Sequence, residues 1–512
     1  MNLLRLPDWL LGRKRTSRAD PVGWDLSMLL LTWSCDNAWT LASALEGTLV
    51  TGATGSGKSS GPGRRLGVSF LRAGFGGLVL TAKSDERAAW EEYMRESGRA
   101  EDLRVVGADA TLRLNFLDYE LNRKGEGAGL TENLVNLFST CLEIASRGTS
   151  GGDGREDSSY WRQATRQHIR NCVELLALAK GRISVPDLYR VAISAPTSRD
   201  LLRSEEWKSR SLCFSCLVEA DKRNKTPRQA ADFEIVADYF TVLWPTLAEK
   251  TRSVITSTFT AMADVLNRGL LRDLFCTDTN ITPEATTEGK VILLDLPVKE
   301  FGEVGQLAQV LWKYVFQRSI ERRDVAGNPR PVFLWADEAQ HFLTSYDMQF
   351  QTTCRSSRVA TVYLTQNVSN VYAALGGQEK GRAEAASLFA NLNTKILLAN
   401  GDPVTNDWAA SLIGRSRQFL ASGNSSRSNE EGWELGFGLN GLGQPTNTSA
   451  GFSETFEFEV QPAAFTQLRT GGPSNQWEID SIVFQNGRRF DATGKTWLPV
   501  TFGQKQKGMR RR

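Results

Sequence analysis

The eight residues Gly52-Ala53-Thr54-Gly55-Ser56-Gly57-Lys58-Ser59 constrain this chain more than any other feature. They match GxxxxGK[ST] at every fixed position and follow the apolar run Thr48-Leu49-Val50. The run reads as a buried strand, and the motif as a tight turn from that strand into a helix. Its glycines permit backbone conformations in which successive N–H groups converge on one anion, a β-phosphate. Lys58 is expected to reach the β- and γ-phosphates, and the Ser59 hydroxyl to ligate Mg²⁺. The nucleotide-binding residues expected from this motif are Gly52, Ala53, Thr54, Gly55, Ser56, Gly57, Lys58, Ser59 and Ser60, with ATP and Mg²⁺ as the ligands.

A phosphate loop of this kind requires a second strand that ends in carboxylates. Pro331-Val332-Phe333-Leu334-Trp335-Ala336-Asp337-Glu338 has that form: a mostly apolar run closed by two adjacent acids. Asp337 suits the water shell of Mg²⁺, and Glu338 suits activation of an attacking water. Alone, the segment would read as a core strand ending in a solvated acidic turn. Beside a phosphate loop, the catalytic reading is the stronger one. A third strand, Val359-Ala360-Thr361-Val362-Tyr363-Leu364-Thr365, ends at Gln366, whose amide could sense the γ-phosphate or orient the lytic water. The alternative for Gln366 is a surface residue in a strand-to-loop turn.

Strands alternating with helices imply a parallel sheet. Gly77–Thr81 and Leu103–Val106 read as further buried strands, with a helix near Arg87–Glu96 between them. From about residue 120 the pattern turns helical: apolar spacing marks helices over Asn133–Ser146, Tyr160–Lys180, Phe233–Leu247 and Thr251–Leu266, with another starting at Val185. Strands resume at Val291–Leu296, and a long helix over Val304–Arg322 leads into the Asp337-Glu338 strand. Lys395–Leu398 is one more strand. Gly, Ser and Asn enrich Ser422–Ser453, which reads as a mobile loop or excursion. The expected fold is therefore α/β, a P-loop NTPase with a mainly parallel sheet and an inserted all-α domain, which resembles the RecA-like ATPases. The expected divisions are an N-terminal segment over 1–40, the ATPase domain over 41–119 and 251–500, the insert over 120–250, and a basic tail over 501–512.

Composition narrows the class only slightly. A net charge of +3 over 512 residues names no partner, although basic residues gather at Arg13-Lys14-Arg15 and Arg510-Arg511-Arg512. Seven cysteines, an odd number scattered through apolar patterns, fit a reducing compartment better than a disulfide framework. Cys213-Phe214-Ser215-Cys216 is a lone CxxC, and with only His168 and His341 in the chain a place in the core or on a helix surface is expected for these thiols. No segment reaches the roughly 18–20 apolar residues of a membrane span. The start, Met1–Leu11, has leucines among polar residues and could lie on a membrane surface or dock on a partner; a disordered or packed terminus is the plainer reading.

The order of these parts resembles the type IV coupling proteins of the TraD/TraG kind, within the FtsK/HerA-like ATPases. After the P-loop, Leu78-Val79-Leu80-Thr81-Ala82-Lys83-Ser84-Asp85 is similar to the family's strand ending in Asp-Pro-Lys-Gly-Glu, with Thr81-Ala82 in place of Asp-Pro. Leu114-Asn115-Phe116-Leu117 is similar to its Asn-Pro-Leu segment, and Tyr160-Trp161 to the Phe-Trp that opens its all-α insert. Lys250–Val254 resembles the stretch that returns to the ATPase domain. Asp337-Glu338, Arg355-Ser356-Ser357-Arg358 and Gln366 match its Walker B, Gly-Arg-x-Arg and Gln series, with Cys354 where the family often has Gly. Asn393-Thr394-Lys395, Asp402, Trp408 and Ile413-Gly414 resemble its closing region.

The resemblance implies a homo-hexameric ATPase that moves single- or double-stranded DNA in conjugation or type IV secretion. Arg355 would then complete the neighbouring subunit's site, with Arg358 as the second choice. Loops near Lys299 and in the helical insert are candidates for a DNA channel. Expected partners are a relaxase or type IV secretion components. The family's N-terminal pair of transmembrane helices is missing before the P-loop, so the expected location is cytoplasmic, or peripheral at the inner membrane face through a partner. Two other readings stay open: a cytosolic DNA translocase of the FtsK/HerA group, and a nucleotide-switched adaptor for protein partners.

Overall fold

The computed structural model describes residues 23–34, 36–146, 157–426 and 447–504. The leucine-containing start, the Gly148–Gly154 loop and the terminal arginines lie outside these residues.

A hairpin of β1 (Leu29–Ser34) and β2 (Asn37–Thr40) precedes β3 (Thr48–Thr51), β4 (Gly76–Leu80) and β5 (Leu103–Gly107). After a helical block follow β6 (Val291–Asp295), β7 (Val332–Ala336), β8 (Val359–Thr365) and β9 (Thr394–Leu398). A ribbon of β10 (Arg415–Ser426) and β11 (Asn447–Phe458) then leads to β12 (Glu478–Gln485) and β13 (Trp497–Gly503). Nine of these strands form one sheet in the order β13-β12-β9-β3-β8-β7-β4-β6-β5. From β9 to β5 every pairing is parallel; β12 and β13 add an antiparallel edge.

The period of two along each strand divides the sheet between two cores. Val332, Leu334 and Ala336 of β7 face one core, while Phe333 and Trp335 face the other. In β8, Val359 and Tyr363 take the first side, and Ala360, Val362 and Leu364 the second. Both faces are thus covered by other elements, as a parallel sheet requires. The second core also holds Leu66 and Phe70 of the helix that follows the phosphate loop and Trp90 of the helix Asp85–Glu96. The helix Val298–Glu321 lies on the opposite face, its buried residues Leu307, Leu311 and Val315 in the first core. Gly302, at φ 54°, interrupts that helix, so its regular part starts where the apolar spacing placed it, near Val304.

The all-α block packs helices Thr131–Ser146, Asp157–Lys180, Val185–Ser194, Leu212–Lys222 and Pro227–Asp238 around a shared core. His168 lies at its centre, stacked on Trp244 at 4.0 Å between ring centroids, with Nδ1 3.0 Å from the Tyr239 hydroxyl. Cys213 and Cys216 are buried there, and burial pushes the Cys216 thiol up to about 11. The helix Glu249–Leu266 packs on the helices Asp157–Lys180 and Val185–Ser194. The return to the sheet therefore falls after this helix, beyond the boundary expected at 250.

The segment around Ser422–Ser453 also differs from expectation. β10 and β11 pair in unbroken antiparallel register from Arg415↔Phe458 to Ser426↔Asn447. Its flanks are strand rather than mobile loop, because polar and Gly-rich residues still satisfy each other's backbone across a two-stranded ladder. Residues 427–446 lie outside the described residues.

Candidate functional site

The C-terminal ends of β3, β8, β7 and β4 lie side by side, and the sequence motifs sit on the turns that leave them. β8 separates the phosphate-loop strand from the carboxylate strand. At about 4.8 Å per strand, this sets the β3 and β7 backbones roughly 10 Å apart, room for a phosphate group between them.

The loop after β3 is shaped by glycines at left-handed angles. Gly57 sits at φ 86°, and a Cβ on it would lie 2.3 Å from Ile479 Cδ1 of β12. A side chain here would strain the backbone and displace Ile479. The chain then enters its helix through a wide turn, in which the Gly63 N–H donates to the Lys58 carbonyl at 2.8 Å. Pro62 lies inside this turn and has no N–H to donate, a local reason for a wide first turn.

After β7, the Asp337 carboxylate accepts the Glu338 N–H at 2.9 Å, and Glu338 adopts a left-handed backbone, φ 51°. This conformation is costly for a residue with a Cβ, by about 1–2 kcal/mol. It turns Glu338 back towards the phosphate loop. Its Oε1 lies 3.4 Å from Lys58 Nζ and accepts from Lys83 Nζ at 3.0 Å and Gln366 Nε2 at 3.3 Å. Gln340 Nε2 donates to Oε2 at 3.0 Å. The Ser59 hydroxyl donates directly to Asp337 Oδ2. Lys58, Ser59, Asp337, Glu338 and Gln366, separated by up to 308 positions along the chain, thus share one cluster of hydrogen bonds and ion pairs.

The electrostatics distinguish the two acids. Burial pushes Asp337 up, with the Ser59 hydrogen bond and the two lysines opposing. Burial would also raise Glu338, but Lys58, Gln340 and Lys83 prevail and hold it down at about 2. Burial works against the charge on Lys83, yet its bond to Glu338 and the nearby Asp337 raise it overall. Burial, then the neighbouring Asp337, drives Glu86 well above the usual carboxyl range. The Glu86 side chain accepts the Ala82 N–H at 3.2 Å at the base of the Lys83 turn.

These residues border a cleft of about 560 Å³ lined by Thr54, Gly55, Gly57, Lys58, Ser59 and Ser60 on one side. Lys83, Lys299, Glu338, Gln340, His341 and Gln366 complete the lining, and Gln504 joins it beside Ser60. Lys299, a candidate for a DNA-channel loop, therefore borders the phosphate cleft. Gly52, Ala53 and Ser56 belong to the loop without lining the cleft: Gly52 N donates to the Thr365 carbonyl and Ala53 N to that of Ala399. Ser56 is buried, and a Cβ on Gly52 would lie 2.4 Å from its Oγ. The pairing of a hydroxyl with a buried carboxylate, Ser59 with Asp337, is a donor set that suits Mg²⁺.

Arg355 lies elsewhere. It precedes the N-terminal end of β8, at the edge of the sheet opposite the phosphate loop, exposed and paired with Glu46 Oε1 at 3.2 Å. Arg358 is a scaffold residue: its guanidinium donates to the Trp24 carbonyl at 2.7 Å and approaches that of Pro329 at 3.3 Å.

Sequence reasoning assigned no role to Lys83, Gln340, His341 or Gln504. Lys83 stood in view within the strand-end stretch Leu78–Asp85, two residues beyond a strand beside the carboxylate strand. Gln340 is two residues past Glu338, and its Oε1 accepts from Thr365 Oγ1 at 3.0 Å. Gln504 carried no local signal; the antiparallel edge brings its amide to Ser60 Oγ at 2.8 Å and the Gly472 N–H to its carbonyl at 2.7 Å.

The fold and the cleft define a RecA-like P-loop nucleotide-binding domain with an all-α insertion. Comparison with known proteins then refines the class. Residues 331–450, the segment that carries Asp337, Glu338, Arg355 and Gln366, match the family model described as the TraM recognition site of TraD and TraG. The chain is similar in fold to the bacterial conjugative coupling protein TrwBdeltaN70 in its unbound form, at 15% identity and a TM-score of 0.56, over 94% of this chain and 89% of that one. It is similar to the plasmid coupling protein TrwB bound to the ATP analogue ADPNP, at 15% identity and TM-score 0.57, covering 97% and 91%. The TrwB complex with ADP and Mg²⁺ aligns at 15% identity and TM-score 0.54, covering 97% and 91%. No curated protein matches the sequence. The resemblance to TraD/TraG-type coupling proteins is borne out by a family model over part of the chain and by fold over nearly all of it. No helix among the described residues is long and apolar enough to cross a membrane.

Proposed function

We propose that this chain is an ATP-hydrolysing motor that moves DNA, working as a type IV coupling protein. The observation that carries the reading is the meeting of Lys58 and Ser59 with Asp337 and Glu338 at adjoining strand ends, in a chain with the fold of conjugative coupling proteins. In this reading the N–H groups of the loop residues that line the cleft, Thr54, Gly55 and Gly57 to Ser60, bind the phosphates, while Gly52, Ala53 and Ser56 shape the loop, and Lys58 neutralises charge on the β- and γ-phosphoryl groups. Glu338, an ionised carboxylate, orients the attacking water and takes its proton. Gln366, already on Glu338, reports the state of the γ-phosphate. Ser59 and Asp337 would hold Mg²⁺, which when bound offsets the negative charge of the β- and γ-phosphates.

Arg355, on the opposite edge of the sheet, serves the site of the next subunit in a homo-hexameric ring. The partners in this reading are DNA, single- or double-stranded, and relaxase or secretion components; the TraM-recognition description of the family model that matches residues 331–450 supports a partner contact on the second half of the ATPase domain. The location is cytoplasmic or peripheral at the inner membrane face, held there by a partner.

The test is ATP turnover by the purified chain with and without single- and double-stranded DNA. Stimulation by DNA, abolished in Lys58→Ala, is the expected result. Turnover indifferent to both forms of DNA, at concentrations where the ring is assembled, would remove the motor and leave a nucleotide-switched protein adaptor.

A further inference from the structure

Lys83 shares an acceptor with Lys58: both ammonium groups lie on Glu338 Oε1, at 3.0 and 3.4 Å. They arrive from opposite sides. Lys58 follows β3, whereas Lys83 follows β4, which lies beyond β7 in the order β3-β8-β7-β4. A nucleotide held by the phosphate loop presents its β-phosphate to the loop and its terminal phosphoryl group towards Glu338. Lys83 lines the cleft and meets Glu338 there. Its ammonium, which reaches Glu338 from the β4 side, is thus placed to meet a terminal phosphoryl group directed at Glu338.

The backbone that carries Lys83 is unusually constrained. Gln309, fully buried on the helix Val298–Glu321, grips both polar groups of Thr81: Oε1 accepts the Thr81 N–H at 2.7 Å, and Nε2 donates to the Thr81 carbonyl at 2.9 Å. The same Nε2 lies 2.7 Å from the Leu296 carbonyl, and the Thr81 hydroxyl donates to the Leu294 carbonyl at 2.6 Å. Ala82 is tied on both sides, its N–H to Glu86 and its carbonyl to the Lys299 N–H at 3.2 Å. A buried amide that forms three bonds to two strand ends fixes where the next side chains begin. Thr81, which stands where the resembling family has Asp, thus acts through its backbone and hydroxyl as a mounting point for Lys83.

We propose that Lys83 is a second phosphate-binding lysine that contacts only the γ-phosphoryl group, and that Gln309 is the positioning residue that sets its reach. The proposal rests on the reading of the cleft as an ATP site and adds to it a means of telling ATP from ADP within one subunit.

The experiment is equilibrium binding of ADPNP and of ADP, each with Mg²⁺, to the full chain and to Lys83→Met, Lys83→Arg and Gln309→Leu. Loss of one charge-assisted contact should weaken ADPNP by about ten-fold or more in Lys83→Met and leave ADP within about two-fold. Lys83→Arg, which keeps the charge, should recover part of the preference. Gln309→Leu should lower the same preference while binding ADP normally. Equal weakening of both nucleotides, or no change in either, would overturn the proposal while leaving the ATP site intact. Failure of the unaltered chain to bind either nucleotide would overturn the ATP site and this proposal together.

Discussion

Arg355 offers the sharpest test of assembly, because its own phosphate loop lies out of reach. β8 spans seven residues from Val359 to Thr365, and at about 3.3 Å per residue it separates the two edges of the sheet by roughly 20 Å. Arg355 lies four residues before that strand begins, whereas the phosphate cleft lies where the strand ends. An active site that needs both groups must draw them from two subunits packed head to tail. Lys58→Ala alone should then be inactive. Arg355→Ala alone should lose about 10³-fold or more in turnover, the range for an arginine that meets developing phosphoryl charge. In an equal mixture allowed to exchange subunits, a complete site pairs the loop of an Arg355→Ala subunit with the arginine of a Lys58→Ala subunit. Each choice has a probability of about one half, so about one quarter of sites are whole, independent of ring size. Steady-state ATP turnover with DNA should recover to about that fraction of the unaltered protein. A mixture no more active than the sum of its parts, or an Arg355→Ala variant of full activity, would refute the argument.

Three further outcomes follow from the packing and the loop geometry. Lys313 and Asp347 form a fully buried ion pair, with Gln317 and Tyr363 also donating to Asp347 at 2.9 and 2.8 Å. Asp347→Ala removes the carboxylate that faces the buried lysine and should cost about 3–5 kcal/mol in urea denaturation followed by circular dichroism; Lys313→Met with Asp347→Leu should recover only part of it, because Gln317, Tyr363 and Thr344 lose their acceptor, and equal losses would contradict this. Burial pulls His168 down to about 3 from 6.5, so between those values the unfolded chain takes up a proton that the folded block refuses. Stability should therefore fall as pH drops, by about 2 kcal/mol from pH 7 to pH 5, and His168→Phe should abolish that slope. Hydrogen exchange of the Asp157–Lys180 helix, corrected for the intrinsic pH effect, reads it, and parallel slopes in the two proteins would show that His168 is not the cause. Gly57→Ala should weaken binding of ADP and ADPNP alike, since a Cβ would strain the left-handed angle and force the Ile479 side chain to shift; unchanged binding of both would show that the loop adapts.

Much of this molecule was legible along the chain. The phosphate loop was readable because its chemistry is local: backbone N–H groups, one lysine and one hydroxyl within a single turn. The strands β3, β4, β6, β7 and β8 were readable because a parallel strand covered on both faces is apolar throughout, and the long helix because its apolar residues recur at helical spacing. Local pattern misled where polar composition stood for mobility: β10 and β11 form a regular ladder from residues that look like loop. It also placed the end of the all-α block too early, since the helix Glu249–Leu266 joins that block by packing rather than by composition.

What the sequence by itself determined is the class of chemistry and the material of the sheet, because both follow from residue type and short-range period. What only the tertiary structure decided is adjacency. The order of strands set β8 between the phosphate loop and the carboxylates, turned Lys83 and Lys58 onto one oxygen of Glu338, moved Lys299 to the cleft, and brought Ile479 and Gln504 against the loop from the far end of the chain. None of these distances has a signature in local sequence, because hydrogen bonding between strands and burial on both faces of a sheet are satisfied by partners that the chain reaches only when folded.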